Sequence, residues 1–241
     1  MMAYPQEKKD AIVAYLRQLN RKGIRSIYVP RDDGADAVDQ SVPLEPEQDL
    51  PMPEAATSRD ALAALERRVS GCIACPLHRS RTQTVFGVGN PGTKVLFIGE
   101  APGREEDKQG KPFVGRAGQL LNKILAAIEL DRKDVYITNV LKCRPPDNRD
   151  PQEHEIRECE HYLKEQIALI RPTVICALGR IAAQWLLQTN APLATLRAGE
   201  YYYEGIRILP TYHPAALLRN PSFKKPAWED FKKLKAMLDN A

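Results

Sequence analysis

Four of the five cysteines in this 241-residue chain have the spacing of candidate metal ligands. Cys72 and Cys75 form a two-residue-spaced pair, Cys143 follows in a proline-rich loop, and Cys159 lies in the next predicted helix. Four thiolates suit either zinc or an iron–sulfur cluster, and their spacing does not choose between the two. Unrelated reduced cysteines are the remaining interpretation. Cys176 stands in an apolar segment and is predicted to be a packed thiol.

Three unusual loops carry the other candidates for chemistry, at residues 99–103, 139–144 and 211–217. The first, Gly-Glu-Ala-Pro-Gly, permits close approach of the backbone to a ligand and holds a carboxylate. The last contains His213, which can donate to a developing anion or simply satisfy a turn. Between them, Phe113 stands in a glycine-flanked loop, where its ring can stack on a flat ligand or fill the core.

The hydrophobic pattern from residue 58 onward alternates strands with helices. Strands are predicted at residues 95–98, 135–138 and 173–178, with a hairpin or a bent strand pair at 201–209. Helices are predicted at residues 58–69, 116–128 and 150–170, after the third strand through residue 185, and near 226–238. Ser58 and Asp150 are the predicted helix caps. Such alternation favours an α/β fold with a parallel sheet covered on both faces. Ligands then bind beyond the carboxyl ends of the strands, where the three loops begin.

Charge divides the chain into three regions. Residues 1–29 form an N-terminal extension, in which residues 7–22 are predicted to be a short amphipathic helix. Residues 30–57 hold five prolines and eight acids against one base, a composition typical of a disordered linker. Residues 58–241 form the predicted main domain, with a net charge of +7. A basic domain favours a polyanionic partner. The N-terminal helix either packs loosely on this domain or binds a protein partner.

The composition excludes several classes of protein. Hydrophobic residues make up 43% and charged residues 27%, as in soluble globular proteins. No apolar run approaches the roughly 20 residues of a membrane span, and the N-terminus lacks the apolar region of a secretory signal. Five cysteines, an odd number, do not suggest a disulfide framework. We therefore expect a cytoplasmic protein without membrane attachment, and a monomer because no additional apolar face is evident.

Four segments together resemble the signature loops of the type-4 uracil-DNA glycosylases, the iron–sulfur branch of the uracil-DNA glycosylase superfamily. They are residues 99–103, 112–115 and 138–146 and the pair His213-Pro214. The resemblance covers roughly residues 70–238 and leaves the N-terminal helix and linker outside. It implies a three-layer α/β/α fold with a central four-stranded parallel sheet. It also implies a [4Fe–4S] cluster rather than structural zinc, held by Cys72, Cys75, Cys143 and Cys159.

The resemblance further implies an enzyme that flips uracil out of single- or double-stranded DNA and hydrolyses its N-glycosidic bond. Phe113 would stack on the base, and the Asn139 amide would read its edge. Glu106 would lie beside C5 and exclude the methyl group of thymine. His213 would donate toward O2, assisted by backbone amides of the Glu100–Ala101 turn. Glu100 itself would position the attacking water or balance charge on the sugar.

Contacts with DNA are implied for a further group of side chains. Leu217, at the family's wedge position, would fill the space that the base leaves, with Leu218 and Arg219 beside it. Phosphate contacts are predicted for a set of basic residues: Lys111, Arg116, Lys142, Arg144, Arg219, Lys224 and Lys225.

Two other functions fit parts of the pattern. One is a nucleic-acid or partner-binding module that keeps the scaffold without turnover, although Glu100, Phe113, Asn139 and His213 are all present. The other is a zinc-bound hydrolase that acts on a small phosphorylated ligand through residues 99–103. That loop, however, lacks the Gly-Lys-Ser/Thr arrangement that cradles phosphate.

Overall fold

The computed structural model describes residues 55–240. In this part of the chain, the helices are α1 (Ala55–Ser70), α2 (Arg104–Gln109), α3 (Arg116–Ala127), α4 (Glu153–Ile170), α5 (Arg180–Leu187), α6 (Leu193–Leu196), α7 (Pro214–Arg219) and α8 (Lys224–Asp239). The strands are β1 (Val88–Gly89), β2 (Val95–Gly99), β3 (Tyr136–Asn139), β4 (Val174–Leu178), β5 (Tyr201–Tyr203) and β6 (Ile206–Thr211). Short 3₁₀ turns lie at Pro76–Arg79, Pro146–Asn148 and Pro221–Phe223.

The strands form one sheet in the order β1-β3-β2-β4-β6-β5. Its four central strands, β3, β2, β4 and β6, are parallel, as predicted. The two edge strands, β1 and β5, are antiparallel. The hairpin around Glu204 and Gly205 supplies β5, as predicted, whereas the two-residue β1 is too short to leave a hydrophobic pattern.

Alternate residues of the central strands point to opposite faces of the sheet and build two cores. On one face, Leu96 and Ile98 pack with side chains of α1, α4, α5 and α6. On the other face, Val95 and Phe97 pack with side chains of α3 and α8. This arrangement confirms the three-layer α/β/α fold.

Several element boundaries differ from the sequence predictions. Helix α1 begins at Ala55, so Ser58 lies inside its first turn and is not the cap. Helix α4 begins at Glu153, with Gln152 as its cap residue and the Glu155 carboxylate accepting from the Gln152 backbone N–H at 2.8 Å. Asp150 is therefore not a cap. Helix α7 occupies part of the segment that was predicted to be a loop.

The predicted N-terminal helix and nearly all of the predicted linker lie outside the described residues. Across residues 55–240, no helix combines the length and apolar character that a bilayer crossing requires.

Candidate active site

A pocket of about 330 Å³ opens at the carboxyl ends of β2, β3 and β6, where the topology of a parallel sheet predicts a ligand site. Its volume is in the range of small-molecule sites. It brings together six of the side chains that the sequence analysis assigned to catalysis or base recognition, and Arg219 at its rim. These six are Glu100, Ala101, Glu106, Phe113, Asn139 and His213.

Asn139 ends strand β3 with its side chain buried at 2% exposure. Its Oδ1 is the buried side-chain polar atom that has no hydrogen-bond partner within the described part of the chain. A buried acceptor without a partner costs about 1–3 kcal/mol, unless a ligand supplies the missing donor. Gly99, opposite it on β2, makes room: a Cβ there would lie 2.3 Å from this oxygen.

Phe113 fills the core and also lines the pocket, so its core-filling role is confirmed and its stacking on a ligand stays a prediction. The side chain is 5% exposed and packs with α3 and α8 residues, while the ring also lines the pocket. Its centroid lies 5.3 Å from the imidazole of His213. The backbone has φ = 52°, a left-handed conformation that bulky residues rarely adopt.

His213 follows β6 and caps helix α7. Its Nδ1 accepts a hydrogen bond from the Ala215 backbone N–H at 3.1 Å. The neutral imidazole therefore carries its proton on Nε2, as a donor. Burial, with a smaller effect of the Arg219 charge, lowers the pKa of His213 to about 4. The imidazole is neutral at physiological pH.

Glu100 lies at the end of β2 in a setting that disfavours its charge. Burial, followed by repulsion from Asp150, raises its pKa to about 7, while Arg180 and Arg219 act in the opposite direction. A carboxyl group poised near neutral pH can exchange a proton or orient water at that pH. Perturbed carboxyl groups of this kind cluster at catalytic sites.

Glu106 projects from α2 to the pocket wall. Its Oε1 accepts from the backbone N–H groups of Val114 and Gly115, at 2.9 Å each. The carboxylate is thereby fixed beside the Phe113 loop, which we define as residues 112–115.

The pocket also contains residues that sequence reasoning missed. Pro145, Asn148, Arg149 and Asp150 line it from the loop that precedes α4. Asp150, predicted as a helix cap, instead forms a 2.6 Å ion pair with Arg180. Its position directly after a proline-rich strand-end loop was the available signal.

The predicted DNA contacts divide into exposed and buried side chains. Leu217 is 2% exposed and packs inward, whereas Leu218 is 40% exposed. A wedge must project from the surface, so Leu217 in this conformation cannot enter a duplex and Leu218 can. Lys111 and Arg219 are exposed, and the half-buried Arg144 donates to Asn148 at 2.8 Å.

The prediction that Lys142 contacts phosphate is wrong. Its side chain is 1% exposed. The ammonium donates to Thr138 Oγ1 at 2.7 Å, to the Asn139 carbonyl at 2.7 Å and to Gln166 Oε1 at 2.6 Å. Burial lowers its pKa to about 7, against the opposing effects of Cys159 and Cys143. The buried Lys142 thus holds the main chain of Asn139 in place through its hydrogen bond to the Asn139 carbonyl.

The four candidate metal ligands line a second, smaller cavity: Cys72, Cys75, Cys143 and Cys159. Arg81 donates to Cys143 Sγ at 3.1 Å, a contact that stabilises a thiolate. Burial raises the pKa of the Cys75 and Cys143 thiols, and it raises the pKa of Cys159 to about 12. The thiolate forms of these cysteines therefore need a cation or a metal nearby. Within residues 55–240, no three His, Cys, Asp or Glu side chains are arranged to hold a metal ion. Cys176 is fully buried on the other face of the sheet, as expected.

Comparisons with known proteins identify the family of this chain. A family model described as the uracil DNA glycosylase superfamily matches residues 86–232. A type-4 uracil-DNA glycosylase of Archaeoglobus fulgidus is 44% identical over 183 residues, which cover 73% of this chain and 92% of that protein. A type-4 uracil-DNA glycosylase of Thermotoga maritima is 44% identical over 186 residues, which cover 76% of this chain and 97% of that protein. A type-5 uracil-DNA glycosylase of Pyrobaculum aerophilum is 31% identical over 164 residues, which cover 59% of this chain and 72% of that protein. The resemblance noted in the sequence is confirmed, and the chain belongs to the type-4 uracil-DNA glycosylases of the uracil DNA glycosylase superfamily.

Proposed function

We propose that this chain flips uracil out of DNA and hydrolyses the bond between uracil and deoxyribose. The products are free uracil and an abasic site, which is the first step of base excision repair. The observation that carries the proposal is the unpartnered Oδ1 of Asn139, buried in a pocket that also presents an aromatic ring and a neutral imidazole.

Asn139 provides base identity in this proposal. Its Oδ1 accepts from N3–H of uracil, and its amide nitrogen donates to O4. Cytosine presents an acceptor at N3 and a donor at the exocyclic amine, so both contacts would be mismatched. A site built to pair with hydrogen-bonding groups rejects analogues that lack them by large factors.

Phe113 and Glu106 define the shape of the base site. Stacking on the Phe113 ring contributes about 1–3 kcal/mol for any base and is blind to identity. The Glu106 carboxylate, fixed by two backbone N–H groups, forms the pocket wall beside C5 of the base and excludes the methyl group of thymine. This exclusion protects normal DNA.

His213 stabilises the leaving group. As the bond to the sugar breaks, negative charge accumulates on uracil O2, and the Nε2–H of a neutral His213 donates toward it. Backbone N–H groups of the turn at Glu100 and Ala101 assist. Glu100, in its ionised form, orients the attacking water and balances the positive charge that develops on the sugar.

The surface beside the pocket holds the DNA. Leu218 fills the gap in the base stack, in place of the buried Leu217. Arg219 lies at the pocket rim, where it can contact the phosphate next to the flipped nucleotide. Lys111 and Arg144 extend the phosphate contacts.

The four cysteines of the smaller cavity are proposed to hold a [4Fe–4S] cluster that ties three chain segments together. The four thiols line one cavity, and four thiolates are the ligand set of a [4Fe–4S] cluster. Structural zinc takes the same four ligands, so the metal content decides between the two. A brown protein containing iron, with visible absorbance that Cys159→Ser removes, is expected, and a colourless zinc protein would contradict the cluster.

Cellular context completes the proposal. No disulfide joins the described cysteines, which suits the reducing cytoplasm that the sequence predicts. We further propose that the protein acts as a monomer and that its N-terminal helix binds a partner protein.

Incubation with a uracil-containing oligonucleotide tests the proposed activity. We expect alkali-labile abasic sites at uracil alone, and none with a matched oligonucleotide that contains thymine or cytosine. His213→Ala should slow single-turnover release strongly while binding to DNA is retained. Binding without abasic-site formation by the wild-type protein would instead identify a non-enzymatic binding module.

A further inference from the structure

Arg132 lies outside every motif of the sequence, in the turn between α3 and β3. Its Nη1 donates to the Phe113 carbonyl at 3.0 Å and to Asn122 Oδ1 at 3.1 Å, and its Nη2 donates to the Pro112 carbonyl. One guanidinium therefore binds two successive carbonyl groups of the Phe113 loop. The planar fork of arginine suits such a pair of acceptors.

Glu106 binds the next two residues of the same loop. Its Oε1 accepts from the backbone N–H groups of Val114 and Gly115. A cation thus holds the carbonyls of residues 112 and 113, and an anion holds the amides of residues 114 and 115. Burial lowers the pKa of Arg132 and the nearby Glu106 charge opposes that shift, but the guanidinium stays protonated in any case.

The conformation held between these two charges is unfavourable on its own. Phe113 has φ = 52°, and a bulky residue keeps such a backbone only where surrounding contacts over-determine it. Gly118 permits this backbone to approach α3 closely, because a Cβ at this position would lie 1.9 Å from the Phe113 carbonyl oxygen. The ring, 5.3 Å from His213, is placed by this backbone.

We propose that Arg132 is a positioning residue for base recognition: together with Glu106 it clamps the Phe113 loop and so sets the ring on which uracil stacks. This inference rests on the proposed function, because the ring needs a base to stack on. Arg132 itself touches neither the base nor the reacting bond.

Variants at Arg132 and at its neighbour Lys133 test the clamp. Arg132→Ala should slow single-turnover release from a single-stranded uracil oligonucleotide by about 10- to 100-fold, the usual result of a small misplacement of a binding group. Arg132→Lys should recover part of the rate, since an ammonium can donate to one carbonyl but lacks the fork. Lys133→Gln is the matched control, because Lys133 is 77% exposed and pairs with Asp131 at the surface. It should release uracil at the wild-type rate.

Two further measurements separate positioning from general stability. Binding to an oligonucleotide with a tetrahydrofuran abasic analogue should change less than twofold in Arg132→Ala, because this probe has no base to stack. Hydrogen exchange should accelerate in Arg132→Ala at the amides of Val114 and Gly115 and stay unchanged in the two cores.

The outcomes are distinct. Faster exchange throughout the domain, or loss of abasic-analogue binding, would make Arg132 a structural residue and overturn the proposal. Wild-type release and wild-type exchange in Arg132→Ala would overturn it as well. If the wild-type protein releases no uracil but Arg132→Ala still loosens the Phe113 loop alone, the proposed function fails and the clamp is supported.

Discussion

Replacement of Asn139 by leucine should make the protein more stable and less active at once. The free protein buries the Asn139 Oδ1 without a partner, at a cost of about 1–3 kcal/mol. Leucine has a similar size and no polar atom, so its introduction removes that cost. For a domain of this size, we expect the midpoint of thermal unfolding to rise by about 2–12 °C.

The same substitution should remove most of the uracil recognition. Bound uracil would bury its N3–H and O4 against an apolar side chain, and each unpaired group costs about 1–3 kcal/mol. The sum, about 2–6 kcal/mol, corresponds to a loss of roughly 30-fold to more than 10⁴-fold in single-turnover release.

Thermal unfolding followed by circular dichroism and single-turnover release on a uracil oligonucleotide measure the two effects. Free uracil serves as the internal control, because it should raise the unfolding midpoint of the wild-type protein and leave that of Asn139→Leu unchanged. A variant that is less stable than the wild type and equally active would refute the reasoning, since it would mean that the unpartnered oxygen is not a site for the base.

Three further predictions address the rest of the site. Gly99→Ala should slow release about 100-fold because its Cβ would lie 2.3 Å from Asn139 Oδ1, whereas Gly71→Ala, with no atom within 4 Å of its Cβ, should match the wild-type rate. The rate should rise with pH through about 7 as Glu100 ionises, since its pKa is raised to that value, and a pH–rate profile of Glu100→Gln should lack this limb. Leu218→Ala should reduce release from duplex more than from single-stranded DNA and leave stability within about 0.5 kcal/mol, while Leu217→Ala should destabilise the fold by about 2–5 kcal/mol in denaturant titrations.

Local patterns were enough to predict the layers of the fold and the edge where the site lies. The central strands are short apolar runs between helix signals, and strand-end loops of a parallel sheet meet at one edge. Asn139 and His213 lie at two such strand ends, Phe113 lies in the loop between α2 and α3, and the pocket joins all three. Strand-end positions therefore indicated where the site lies, while the roles of its individual side chains were implied by the family resemblance.

Features that depend on distant partners could not be predicted in this way. The sequence predicts that Lys142 contacts phosphate, but lysine is rarely buried and its acceptor Gln166 lies on a different element, so nothing near Lys142 in the sequence indicates its burial. Which residues of α7 face the core determines that Leu217 is buried and Leu218 is exposed. A helix of six residues is too short to show a hydrophobic periodicity in the sequence, so this could not be predicted. Arg132 carries no motif at all, since its role is visible only from the carbonyls that it binds.

The segment from Asn139 to Cys143 serves two cavities at once. Asn139 faces the pocket, Cys143 faces the cysteine cavity, and Lys142 between them bonds back to the Asn139 carbonyl. Substitutions on the two sides share this short stretch of backbone, so their effects should be non-additive. Libraries that aim to redesign base preference should therefore vary residues of both cavities together. If only one cavity is varied, the backbone position of residues 139–143 stays fixed by contacts in the other.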